Sequence, residues 1–252
     1  MKLAHTTYGS GPDVAFLHGF TQTKESWLPV IQTLTNSFRY TTIDAPGHGE
    51  SPDGQRTLVE AGSDVAETMY QGVLVGYSMG ARVALHAALQ HPEKVTALVL
   101  ISGTAGIDDA NDRAERRESD ASLAEHVEDI GVPLFIDEWL SNPMFSGLSP
   151  ELADTPSRCS NTIQGLSDSL RYAGTGTQDP LWESLRELKL PVLLIAGIQD
   201  QKFTDIAMRM KSLLPQSELH IMQGVGHTCH LEDVNTFATV LQDWLLRVQS
   251  NR

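Results

Sequence analysis

Short apolar runs that alternate with helical patterns predict an α/β fold, a mostly parallel sheet with helices on both faces. Two further observations sharpen this. A turn of glycine, serine and glycine sits between one apolar run and one helical stretch, and a long helical segment interrupts the strand spacing. The strand candidates are Asp13 to Leu17, Tyr40 to Ile43, Val73 to Val75, Val95 to Ile101, Val192 to Ala196 and Leu219 to Met222. Val83, Ala84, Ala87 and Ala88 mark a helix with a small face suited to close packing, and Phe237, Val240, Leu241, Trp244 and Leu245 mark an amphipathic C-terminal helix. From Gly103 to Asp179 no strand pattern appears, and helical segments are punctuated by Gly131, Pro133, Pro143, Pro150 and Gly174. The expected organisation is a core of residues 1–102 and 180–252, with residues 103–179 as a helical cap over the sheet edge where open α/β sheets bind ligands.

At 252 residues and 40% hydrophobic, the chain can bury a core large enough to fold without staples. A formal net charge of -14 argues against nucleic acid and anionic membrane surfaces as partners. It also requires any anionic substrate to be received by a local cluster of positive charge. Cys159 and Cys229 lie far apart with no metal-ligand spacing around either, which fits a reduced, cytoplasmic protein better than a disulfide. The N-terminus lacks an apolar signal region, and the longest apolar run is too short to span a bilayer. No H-E-x-x-H or C-x-x-C spacing occurs, so no cofactor or metal is implied.

Gly76-Tyr77-Ser78-Met79-Gly80 follows Val73-Leu74-Val75 and precedes the stretch from Ala81 to Leu89, the order of a nucleophile elbow. Flanking glycines let the chain turn tightly enough to expose the Ser78 hydroxyl above the sheet edge. The pentapeptide by itself is a weak signal; its context and its partners strengthen it. Asp200 follows the strand that ends at Ala196, and His227 follows Gly224-Val225-Gly226 after the last strand. A lone Asp after a strand is usually a turn residue and a lone His in a glycine-rich loop is usually solvated. Together, in the chain order Ser, Asp, His of α/β-hydrolases, they form a set in which His227 takes the serine proton and Asp200 fixes the imidazole. His230 is a rival base, ranked second because His227 directly follows the glycine that ends the strand.

His18-Gly19-Phe20 follows the strand from Val14 to Leu17, so the Phe20 N–H can aim at the same point as the Met79 N–H at the start of the elbow helix. That makes a two-donor oxyanion hole, against the alternative of an ordinary glycine turn. The Pro/Gly loop from Asp44 to Ser51 lies on the same edge and reads as structural support.

These motifs resemble the α/β-hydrolase superfamily over essentially the whole chain. Within it, the segments 113–120, 138–145 and 158–161, with Gly80-Ala81-Arg82 and 197–203, resemble the 2-succinyl-6-hydroxy-2,4-cyclohexadiene-1-carboxylate synthases of menaquinone biosynthesis. That family is a lyase family. It eliminates pyruvate from a cyclohexene tricarboxylic intermediate, with the Ser-His-Asp set acting as a base. The resemblance implies that Ser78, Asp200 and His227 form the triad, that Arg82, Arg116 and Arg158 bind substrate carboxylates, and that Tyr77 and Trp139 line the site. Ala81 departs from the second glycine often found after the elbow, which puts close packing at the helix start in question.

The arginines also make independent sense. Every basic residue between Gly103 and Asp179 is an arginine, the side chain suited to bidentate carboxylate recognition. Arg82 is four residues beyond Ser78 and shares its face if the helix begins at the nucleophile. The competing readings are an Asp112–Arg116 pair, a buried structural ion pair at Arg82, a solvated helix-start residue at Arg158 and a core tryptophan at Trp139.

Three functions follow for a monomer or small homo-oligomer. The first is a pyruvate-eliminating lyase acting on a small anionic carboxylate substrate. The second is a carboxylesterase or carbon-carbon hydrolase with the same triad. The third is a non-catalytic binding module, which comes last because all three triad members are present.

Overall fold

The computed structural model describes residues 1–250. Seven strands form one sheet in the order β1-β3-β2-β4-β5-β6-β7. They are β1 (His5–Gly9), β2 (Asp13–Leu17), β3 (Arg39–Ile43), β4 (Gly72–Tyr77), β5 (Val95–Ile101), β6 (Val192–Gly197) and β7 (Ser217–Met222). β1 pairs antiparallel with β3, and every other pairing is parallel. The six expected strands are present, some extended by one to three residues. β1 is an addition. Its sequence, His-Thr-Thr-Tyr-Gly, has no apolar run because an edge strand buries little of either face.

The helices are α1 (Leu28–Thr33), α2 (Leu58–Thr68), α3 (Met79–Gln90), α4 (Ala110–Ile130), α5 (Val132–Leu140), α6 (Pro150–Ala153), α7 (Thr155–Arg158), α8 (Ile163–Ala173), α9 (Gln201–Leu213), α10 (Cys229–Glu232) and α11 (Val234–Ser250). Two apolar clusters sandwich the sheet. One joins it to α2, α3 and α9 through Leu58, Val65, Leu85 and Met210, the other to α1 and α11 through Val30, Phe237, Leu241 and Trp244. The central strands β4 and β6 are buried at every position, which explains why they read as continuous apolar runs. The small face of α3 lets it lie close to the sheet, with Ala84, Ala87 and Ala88 fully buried.

Between β5 and β6 the chain is helical, α4 to α8, with its own cluster of Ala124, Val127, Phe135, Ile136, Leu166 and Leu170. Asp109 caps α4 by accepting from the Asn111 and Asp112 amides, and Gly131, at φ 77, ends it. Because parallel strands run in one direction, the loops after β2, β4, β5, β6 and β7 share one edge. Among the described residues, no helix is long and apolar enough to cross a membrane.

Candidate active site

Ser78 sits between β4 and α3 with φ 51 and ψ -108, a backbone conformation that side chains rarely adopt. The neighbouring glycines serve a different need from the one expected. The turn's positive φ falls on Ser78 itself, whereas a Cβ on Gly76 would collide with the Gly80 carbonyl, and one on Gly80 with the Leu17 and His18 carbonyls. Ala81 is buried, and its methyl fills the space that a side chain on Gly103 would need, so the helix start packs closely without a further glycine.

The structure brings Ser78, His227 and Asp200 together. His227 Nε2 lies 3.1 Å from Ser78 Oγ, and His227 Nδ1 lies 2.6 Å from Asp200 Oδ2. A carboxylate only accepts, so Nδ1–H donates to Asp200 and Nε2 is left to accept the serine proton. Both loops are held from outside. Asp200 Oδ1 also caps α9 by accepting from the Phe203 amide at 3.3 Å. Glu232 accepts from the Gly226 amide at 2.7 Å and from the Thr228 hydroxyl at 2.7 Å. Ser102 donates its hydroxyl to the His227 carbonyl at 2.9 Å, and the Phe203 ring stands 4.6 Å from the imidazole.

His230 has a different environment. It is fully buried between Tyr77 at 4.2 Å and Trp27 at 4.8 Å, and neither ring nitrogen has a hydrogen-bond partner among the described residues. Burial, with His227 and Arg158 adding repulsion, pushes its pKa down to about 3. The strand before His227 ends at Met222, not at a glycine, yet the loop still delivers the imidazole to Ser78.

The Phe20 and Met79 amides have no acceptor within the described residues. The Phe20 loop is braced by Gln22, whose Oε1 accepts from Gly19 N–H at 2.9 Å, and by the Tyr77 ring beneath Gly19. Behind it, buried His18 donates from Nδ1 to the Gly19 carbonyl at 2.8 Å and accepts the Ala45 amide at Nε2, 3.0 Å away. Burial lowers its pKa, so the ring stays neutral in the tautomer these two bonds need. Asp44 accepts from the amides of Lys24 at 2.6 Å and Glu50 at 3.0 Å, and pairs with Lys24 Nζ, a supporting role.

Above the triad is a cavity of about 580 Å³ lined by Phe20, Tyr77, Met79, Arg82, Arg116, Trp139 and Arg158 together with Ser78 and His227. Every predicted site residue except Asp200, which stands behind His227, reaches it. Arg82, on the first turn of α3, is buried and donates from Nη1 to the Ala173 carbonyl at 2.7 Å. Arg158, 1% exposed, donates from Nε to the Ala153 carbonyl at 2.6 Å and from Nη1 to the Thr21 hydroxyl. Neither has a carboxylate within salt-bridge distance among the described residues. Burial lowers each pKa to about 10, so both carry their charge at neutral pH without a partner.

Arg116 differs. It pairs through Nε with Asp120 at 2.8 Å, so the expected alternative partner Asp112 is wrong. Asp112 lies on the exposed first turn of α4, while Asp120 is buried and also accepts the Gly176 amide at 3.1 Å. Arg82 is not in an ion pair, and Arg158 is neither solvated nor at a helix start. The remaining arginines of this region are structural: Arg113 binds the Ile107 and Asp108 carbonyls, Arg117 the Gly176 carbonyl, and Arg171 pairs with Glu128. Trp139 packs edge-on against Phe20 at 5.2 Å while its Nε1–H has no partner among the described residues, so it serves both core and cavity.

Sequence reasoning missed Gln22, Lys202 and Arg209 among the lining residues. Gln22 Nε2 is buried without a partner among the described residues, and Arg209 stacks 3.6 Å from the Trp182 ring and pairs with Asp108 at 2.6 Å. The i to i+7 spacing of Lys202 and Arg209 on α9 was the available signal.

Known proteins resemble this chain over nearly its whole length. The model of the alpha/beta hydrolase family matches residues 14–240. A Bacillus subtilis protein provisionally named 2-succinyl-6-hydroxy-2,4-cyclohexadiene-1-carboxylate synthase is 36% identical over 93% of this chain and 90% of its own. The protein of that name from Photorhabdus laumondii is 30% identical over 94% of this chain and 87% of its own. The solved structure of MenH from S. aureus superposes with a TM-score of 0.90 at 31% identity, over 99% of this chain and 100% of its own. On these matches and on its sheet and strand order, the chain belongs to the alpha/beta hydrolase family.

Proposed function

We propose that this chain eliminates pyruvate from a cyclohexene tricarboxylic intermediate to give 2-succinyl-6-hydroxy-2,4-cyclohexadiene-1-carboxylate, the product named for its relatives. The observation that carries the reading is the pair of buried arginines, Arg82 and Arg158, that have no carboxylate partner among the described residues and face the same cavity as Ser78 and His227. A buried unpaired cation costs stability, and a bound carboxylate supplies the missing charge. Arg116 adds a third guanidinium whose Nη groups remain free of the Asp120 contact. In a chain of net charge -14, this is the local positive field that an anionic substrate needs.

The triad then acts as a base. His227 accepts the Ser78 proton, Asp200 stabilises the imidazolium, and the Ser78 oxygen removes a ring proton next to the ketone of the succinyl group. The electron pair moves onto the ketone oxygen, which the Phe20 and Met79 amides receive. Such donors are worth about 3 kcal/mol each when aimed at developing charge. Collapse of the enolate breaks the carbon-oxygen bond to the leaving group, and the proton held on His227 passes to departing pyruvate. No acyl-enzyme forms.

In this reading residues 103–179 are the cap and residues 1–102 with 180–252 the core, Tyr77 and Trp139 are walls of the site, and every group required belongs to one chain. The two thiols, Cys159 and Cys229, are free, which fits the reducing cytoplasm. The test is a coupled assay in which purified protein is mixed with the intermediate and pyruvate is followed by its reduction to lactate. Stoichiometric pyruvate at a rate that is lost in Ser78→Ala supports the reading; no pyruvate above the uncatalysed rate rejects it.

A further inference from the structure

Asn161 belongs to a segment that stood out in the sequence, but the chemistry above leaves it without a role. It is buried, 6% exposed, just beyond α7. Both amide hydrogens and the amide oxygen are directed at backbone groups, three in all. Nδ2 donates to the Thr21 carbonyl at 2.7 Å and to the Arg158 carbonyl at 2.9 Å, and Oδ1 accepts from the Gly49 amide at 2.8 Å. One side chain of the helical insertion thus ties together two loops on the sheet edge that lie far apart in sequence.

The loop it grips is the one that carries Phe20. Thr21 has φ 68, a left-handed conformation that a β-branched residue almost never takes unless its surroundings hold it. Two side chains from the same turn of the insertion hold it, Asn161 on the carbonyl and Arg158 on the hydroxyl, and within the loop the Gln22 N–H closes the turn onto the Gly19 carbonyl at 3.1 Å. The Thr21 φ fixes the direction in which the chain leaves Phe20. Relaxing it to an ordinary φ opens the turn and breaks the 3.1 Å bond from the Gln22 N–H to the Gly19 carbonyl, which belongs to the same peptide as the Phe20 N–H.

We infer that Asn161 is a positioning residue that holds Thr21 in its left-handed conformation and thereby aims the Phe20 N–H at the reacting oxygen, so that the oxyanion hole is complete only when the helical insertion is seated. The inference rests on the reading above that the Phe20 N–H is an oxyanion donor. It has a further consequence for Arg158. A carboxylate on that guanidinium steadies the group that also holds the Thr21 hydroxyl, so substrate binding and completion of the oxyanion hole favour each other.

The test is a double-mutant cycle with a structure. Asn161→Ala should lower kcat for pyruvate release about thirtyfold while KM changes less than about threefold, because an interaction made only in the transition state is lost. Glycine takes a positive φ without cost, so in a Thr21→Gly background the same Asn161→Ala change should cost less than about threefold. The crystal structure of Asn161→Ala should show Thr21 out of the left-handed region. Asn161→Asp keeps the acceptor for Gly49, loses the donor to Thr21, and carries the same expectation should the alanine variant not fold. An unchanged Thr21 φ in either variant overturns the inference, as does a rise in KM with kcat unchanged or an equal loss in both backgrounds. If the parent releases no pyruvate, the proposed function fails, while the Thr21 conformation still decides the role of Asn161.

Discussion

Arg82 donates from Nη1 to the Ala173 carbonyl at 2.7 Å across the boundary between α3 and α8, and this single neutral acceptor is all that its buried guanidinium has among the described residues. Arg158 is placed alike, between the Ala153 carbonyl and the Thr21 hydroxyl. Carbonyl and hydroxyl oxygens orient a guanidinium without neutralising it. The remaining N–H groups and the whole charge stay available to a ligand.

Removing these charges should weaken the enzyme toward an anion and leave neutral chemistry alone. Arg82→Ala and Arg158→Ala are each expected to lower kcat/KM for the tricarboxylic substrate about ten- to a hundredfold, the value of a charge-assisted contact. Arg116→Ala should cost less, because Asp120 already offsets part of its charge. Lysine should rescue only in part, since a point charge cannot reproduce the planar fork. Steady-state kinetics on the substrate beside a neutral nitrophenyl ester checks this; equal losses on both would make the arginines structural.

The triad should behave as one unit. Ser78→Ala, His227→Ala and Asp200→Asn are each expected to lower kcat on the order of a thousandfold or more, with double variants little worse than singles. Melting temperatures should stay near that of the parent, because none of these changes empties the core. Near-parent turnover by Ser78→Ala would remove the serine from the chemistry.

The elbow glycines answer to space. Gly80→Ala would place a methyl against the Leu17 and His18 carbonyls, and backbone cannot yield as a side-chain tip does. A loss of about 1–3 kcal/mol is expected, with activity falling as α3 and the Phe20 loop are pushed apart. Urea denaturation measures it, and a loss within about 0.5 kcal/mol would show that the approach is looser than described.

Stability should decline in acid through the buried histidines. Burial holds His48 and His230 at about 3, below the ordinary 6.5 of the unfolded chain. As pH falls from about 6.5 toward 3 the unfolded state takes up protons that the native state refuses, so each ring removes up to about 1.4 kcal/mol of stability per pH unit. His230, with no hydrogen bond to lose, is the clean case. His230→Phe should flatten the stability profile between pH 6 and 4 by about one proton; an unchanged slope would mean that His230 is solvated in the native state.

Much of this was legible in the sequence because parallel strands are buried on both faces and read as apolar runs, and because each triad residue follows such a run. β1 was not legible. Its half-exposed His-Thr-Thr-Tyr-Gly carries no apolar period, and only its register against β3 identifies it. The partner of Arg116 was misread for a related reason. α4 is so polar throughout that its sequence does not reveal which side faces inward, and acidic residues stand four positions away on either side. The glycines flanking Ser78 are recognisable by pattern but for the wrong cause, since close backbone approach, unlike turn conformation, is a tertiary fact. Gln22 gave no signal, and Asn161 stood out only as part of the segment 158–161, because an amide side chain declares its role only through the backbone groups it meets.

The most direct test of the central claim is the ratio of two rates on one preparation: pyruvate release from the cyclohexene tricarboxylic intermediate and hydrolysis of a short-chain nitrophenyl ester. A base-acting triad beneath buried, unpaired arginines predicts kcat/KM for pyruvate release at least about a thousandfold above that for the ester, with both abolished in Ser78→Ala. Ester cleavage as fast as or faster than pyruvate release would contradict it and make the chain a hydrolase.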